Sequence, residues 1–137
     1  MQKKLKVTMS ATKVIDWEKT LDQVQGDESF LNEVLGDLLT EAKDAQNEIG
    51  EGISSANWSM VSKAAHRVKG SSAYLYCEQM RVCSLNLQDL GQNALTAPPE
   101  KIEEIVKGIQ AWYGDYCESV ARVEAEVATR YGQGGGK

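Results

Sequence analysis

The chain is predicted to be all-α: an antiparallel four-helix bundle with a short additional N-terminal helix. Three observations lead there. Apolar residues recur at spacings of three and four through most of the chain, the period of helices with one buried face. The only two prolines stand together at Pro98-Pro99, which leaves long stretches without a helix breaker. The breaks between periodic stretches are short, and short connections make neighbouring helices antiparallel.

The first helix is expected over about Asp16 to Gln25, with Trp17, Leu21 and Val24 on its apolar side and Asp16 as N-cap. Gly26 breaks it. Asp27 then caps a second helix to about Ile49, whose stripe is Leu31, Val34, Leu35, Leu38, Ala42 and Ala45. Gly50-Glu51-Gly52 is expected to open a turn. Asn57 caps a third helix to about Tyr76, with Val61, Ala65, Val68, Ser72 and Leu75 on one buried stripe. A fourth helix covers about Glu78 to Asn93. After Thr96-Ala97 a proline-started fifth helix keeps Ile102, Ile105, Ile109, Trp112, Tyr116, Val120, Val123 and Val127 in register. The first helix, the shortest, is expected to lie across one end of the other four. The organisation that follows is a flexible N-terminal segment over 1–13, one helical domain over 14–130 and a flexible Gly-rich tail over 131–137.

Length and composition narrow the function classes. A chain of 137 residues can build a single core without staples. Its net charge of −5 argues against nucleic acid as a partner, because duplex binding needs a basic surface. No apolar run approaches the ~20 residues that span a bilayer. The basic start, Met1-Gln2-Lys3-Lys4-Leu5-Lys6, lacks the apolar segment of a secretory signal. The expected location is cytoplasmic, and also nuclear if the source is a eukaryote. Cys77, Cys83 and Cys117 are odd in number and lack a Cys-x-x-Cys spacing, which argues against a disulfide framework or zinc site. Lys69-Gly70-Ser71 reverses the residue order of a nucleotide-binding loop.

The single histidine, His66, is the candidate for chemistry. It lies roughly 140° from the centre of the buried stripe on its helix, at ~100° per residue, and therefore faces solvent. Lys69 and Gly70 follow three and four residues on, one helical turn away on the same side. Ser59, Ser62 and Ala73 are placed around it. Gly70, Ser71 and Ser72 together give up roughly 2 kcal/mol of helix preference. Ser72 falls on the buried stripe, where close packing accounts for it. Gly70 falls on the exposed face, where bare backbone suits close approach by a partner.

The run His66-Arg67-Val68-Lys69-Gly70-Ser71-Ser72 resembles the signature of histidine-containing phosphotransfer (HPt) domains, His-x-Leu-Lys-Gly-Ser/Ala-Ser/Ala, with Val68 in place of the usual leucine. Ile15-Asp16 and Gly26-Asp27-Glu28-Ser29-Phe30-Leu31 resemble the way such domains open their first two helices. Gln88 stands before Leu90-Gly91, where many members have a glutamine that hydrogen-bonds the phosphorylatable histidine. The likeness extends over about Val14 to Val127. One departure stands out: the family usually has a glycine ten residues after the histidine, and this chain has Tyr76.

The resemblance implies a phosphorelay intermediate and no enzyme of its own. His66 would accept a phosphoryl group from the aspartyl phosphate of one response-regulator receiver domain and pass it to another, with a hybrid histidine kinase upstream. Gln88 would hold the second ring nitrogen, and Lys69 would offset phosphoryl charge. The chain shows neither a carboxylate cluster for magnesium nor a nucleotide loop, so magnesium is expected on the partner receiver and no cofactor on this chain. Docking is expected to use Arg67, Gly70, Ala73 and Ser62 around the histidine, with an apolar patch from Phe30, Leu31 and Val34. A monomer without nucleic-acid or membrane partners is expected. The rival readings are a receiver-binding scaffold without transfer and an enzyme using His66 as general base. The latter needs a second catalytic residue and a pocket, and the sequence displays neither.

Overall fold

Helices begin here where a side chain can take over a backbone N–H that has no partner within the helix. In the computed structural model, which describes residues 13–132, the Asp16 carboxylate accepts from the Lys19 N–H at 3.3 Å and opens α1 (Trp17–Gln23). Asp27 accepts from the Phe30 N–H at 3.0 Å and opens α2 (Glu28–Ser54). Asn57 accepts from the Met60 N–H at 3.1 Å and opens α3 (Trp58–Tyr74). Cys77 precedes α4 (Glu78–Thr96) without a side-chain cap. Pro99 starts α5 (Pro99–Tyr131), at a position where its missing N–H has no helical partner to lose. The flexible ends expected over 1–13 and 131–137 lie outside the described residues except for Lys13, Tyr131 and Gly132. Tyr131 belongs to α5.

The first three helices stop alike, with a residue in the left-handed region just beyond the last turn. These are Gln25 at φ 57°, followed by Gly26 at 77°, then Ala56 at 55° and Tyr76 at 55°. The Asn57 N–H reaches back to the Gly52 carbonyl at 2.8 Å, and the Cys77 N–H to the Ser72 carbonyl at 2.9 Å. Both bonds satisfy carbonyls at a helix end. Tyr76 is thereby explained as a departure. Its position demands positive φ, which glycine adopts freely, and tyrosine takes the same backbone shape at a cost of about 1–2 kcal/mol. The chain turn is kept.

The expected turn at Gly50-Glu51-Gly52 does not occur, and α2 runs through both glycines to Ser54. A Cβ on Gly52 would lie 2.8 Å from Val61 Cγ2 and 3.0 Å from the Asn57 carbonyl oxygen. The glycine marks a close helix contact and not a break.

The four long helices form the predicted antiparallel bundle. Along α2 and α3, Gly52 meets Val61, Glu48 pairs with Arg67 and Glu41 accepts from Ser71, so one chain rises as the other falls. Leu90 lies against Gly108 and Gln79 accepts from Arg122, which sets α4 antiparallel to α5. The Tyr116 hydroxyl donates to the Ala42 carbonyl at 2.7 Å and closes α5 onto α2. The core is lined by Leu31, Leu35, Ile49, Val61, Val68, Met80, Leu87, Ile109 and Val123, all with less than 2 % exposure. Such burial removes apolar surface from water at ~25 cal/mol per Å². α1 lies across one end. Its Thr20 hydroxyl donates to the Leu75 carbonyl at 2.7 Å in the α3–α4 turn, and the Trp17 indole donates to Glu126 of α5 at 2.9 Å. No helix among the described residues is long and apolar enough to cross a membrane.

Candidate functional site

The outer face of α3 is set by what its other sides must do. Val61, Ala65, Val68 and Ser72 fill the core, and the residues opposite them are left to solvent. His66, Gly70 and Ala73 are exposed there, and Lys69 is half-buried beside them. A Cβ on Gly70 would meet nothing within 4 Å, so its absence serves no packing within the chain. α3 carries Lys63, Arg67 and Lys69 and no acidic residue, in a chain with 20 acidic and 15 basic side chains. α3 itself thus brings only cationic side chains to the histidine, of which Arg67 is paired with Glu48 of α2.

Gln88 stands at the right level to serve the imidazole. The Gln92 side chain donates to the Ser62 hydroxyl at 3.1 Å across the α3–α4 seam. One turn forward from Ser62 is His66, and one turn back from Gln92 is Gln88. In an antiparallel pair those two residues repeat the relation of the first two. Gln88 Oε1 is buried and has no hydrogen-bond partner, and it makes no bond to His66. The expected contact is therefore unformed, with its acceptor available.

The docking residues divide. Arg67 turns toward α2 and pairs with Glu48 at 2.9 Å, an exposed ion pair of the kind that contributes little to stability. Ser62 is buried, not part of an open face: it accepts from Gln92, and the backbone of α4 at Gly91 approaches within contact distance. Leu31 is fully buried in the core, because the first turn of α2 directs it inward, so it cannot belong to a docking patch. Val34 is half-buried against the same core. Phe30 is 46 % exposed, yet the pairing of Glu48 with Arg67 places it about 25 Å along the bundle from His66 at ~1.5 Å per residue. The exposed aromatic nearer the histidine is Tyr74, 52 % exposed, eight residues on. It shares the outer side of α3, and its place two turns after His66 was the sequence signal for it.

Two surface clefts lie between α2 and α5, lined by residues such as Lys43, Asn47, Leu39 and Glu124, and include none of the His66 face. Among the described residues no group of three or more His, Cys, Asp or Glu could hold a metal ion. What the site offers is an accessible imidazole, a neighbouring cation, an amide one helix away and open backbone for a visitor.

The family model described as Hpt domain matches residues 33–124, more than half of the chain. A search of curated proteins returned no match.

Proposed function

Because the chain belongs to the Hpt domain family, whose members carry phosphoryl groups in two-component signalling, we propose that His66 is the phosphorylated residue of a relay intermediate. One observation carries this reading most of all: the only histidine is exposed on the outer face of α3, beside a glycine whose missing side chain leaves open space. A receiver domain would present its aspartyl phosphate to the imidazole. The lone-pair nitrogen of His66 forms the N–P bond as the acyl–phosphate bond breaks, and the aspartate leaves as carboxylate. Transfer to a second receiver is the reverse step. Gln88 accepts from the other ring nitrogen and fixes the tautomer. Lys69 places a compact positive charge near the phosphoryl oxygens. Magnesium and most of the catalysis belong to the receivers in this proposal.

The reading is tested with two receivers, one phosphorylated and one not. Radiolabelled phosphoryl should move from the first to the second only when this protein is present, and His66→Ala should abolish that movement. Relay at the wild-type rate through His66→Ala would leave a receiver-binding scaffold as the better description.

A further inference from the structure

Among the described residues two buried side-chain atoms have no hydrogen-bond partner, and both are on α4: Ser84 Oγ and Gln88 Oε1. Leaving a buried polar atom unpaired is costly. The two are chemically complementary, since the hydroxyl can donate and the amide oxygen accepts through two lone pairs. They are one helical turn apart, and a helical side chain leans back over the turn before its own, which carries Gln88 toward Ser84. Two other buried helical serines use their hydroxyls locally, and Ser62 accepts from Gln92 across the seam. Ser72 donates to the Val68 carbonyl at 2.7 Å and Ser119 to the Tyr116 carbonyl at 2.7 Å. Ser84 makes no such bond. It lies two turns before Gly91, on the side of α4 that meets Ser62 of α3.

We propose that Ser84 is a positioning residue for His66, acting through Gln88. Neither atom is paired in the structure; with a change of rotamer the Ser84 hydroxyl would donate to one lone pair of Gln88 Oε1, and the other lone pair would accept an N–H of the His66 imidazole. The two ends of a glutamine amide are alike in shape, so packing alone does not choose which end meets the ring. The Ser84 donor makes that choice: the oxygen stays toward Ser84 and the ring. The imidazole then keeps its proton on the nitrogen facing α4 and turns the lone-pair nitrogen outward. This deepens the phosphoryl-carrier reading, on which its purpose rests, but the tautomer is a property of the free protein.

The test is 15N NMR of the imidazole in the full chain, with the ring neutral and no partner present. One tautomer should dominate in the wild type. Gln88→Ala should return the ring toward the mixture of an unconstrained histidine. Ser84→Ala should move the tautomer ratio about fivefold in the same direction, the size of one ordinary net hydrogen bond, in a protein that still folds. If Ser84→Ala keeps the wild-type ratio while Gln88→Ala shifts it, Ser84 only fills space and the proposal is overturned. If neither variant shifts the ratio, Gln88 does not hold the ring and the proposal is overturned with it. The relay assay on His66→Ala is independent of either result, so failure of the carrier reading shows separately.

Discussion

A glycine at an exposed helix position gives up about 1 kcal/mol against alanine, and Gly70 holds such a position with open space where its Cβ would be. Gly70→Gln should therefore raise or preserve Tm while weakening receiver binding, mainly through faster dissociation. Calorimetry and a binding titration on that variant check both halves, and a clear drop in Tm would count against partner access as the reason for the glycine. Lys69→Ala should slow transfer or shorten the phosphohistidine lifetime with helicity and Tm nearly unchanged. His66, Gly70 and Ala73 were legible in the sequence because a solvent face follows from the helical period alone. Ser62 was not, since it faces a second helix that a single-helix projection does not contain. Leu31 already stood on the predicted core stripe of α2, and the structure keeps it there.

At the scale of elements, the caps Asp16, Asp27 and Asn57 were readable because their short polar side chains serve the nearest free N–H groups. The end of α2 was not. Glycines signal both turns and close approaches, and only the neighbouring α3 distinguishes the two. Gly52→Ala should destabilise by about 1–3 kcal/mol, because the added methyl meets the Asn57 carbonyl and the Val61 backbone as well as a side chain. Four residues on, Ala56→Gly should stabilise. It relieves a left-handed alanine, worth about 1–2 kcal/mol, against the ~0.5–1 kcal/mol that glycine loses in chain entropy. Urea denaturation of the pair should move the midpoint in opposite directions. A shift of the same sign in both would contradict the account of how α2 ends.

For the whole molecule, the bundle buries groups that ionise in alkali. Burial pushes the Cys77 thiol from 9.0 up to about 12, and the Tyr113 hydroxyl from 10.0 to about 12. Burial raises Tyr116 further, in the same direction. The unfolded chain releases these protons from about pH 9 upward while the folded chain holds them. The stability they contribute is therefore complete below about pH 9 and is lost as pH rises toward 12. Urea midpoints should be level near neutrality and fall through that window, and a level midpoint across it would contradict the burial. The four-helix architecture itself was legible because period, breaks and caps agreed with one another. The long α5 and its closure onto α2 through Tyr116 follow from that same stripe.

On the function proposed here, one imidazole nitrogen on the open face of this bundle carries the phosphoryl group. Peptide mapping at neutral pH together with 31P NMR, after incubation with a phosphorylated receiver, locates the group. A single phosphoryl is expected on His66, stable in alkali, lost in acid, and absent from His66→Ala. A phosphoryl on a carboxylate or hydroxyl side chain, or undiminished labelling of His66→Ala, would contradict it.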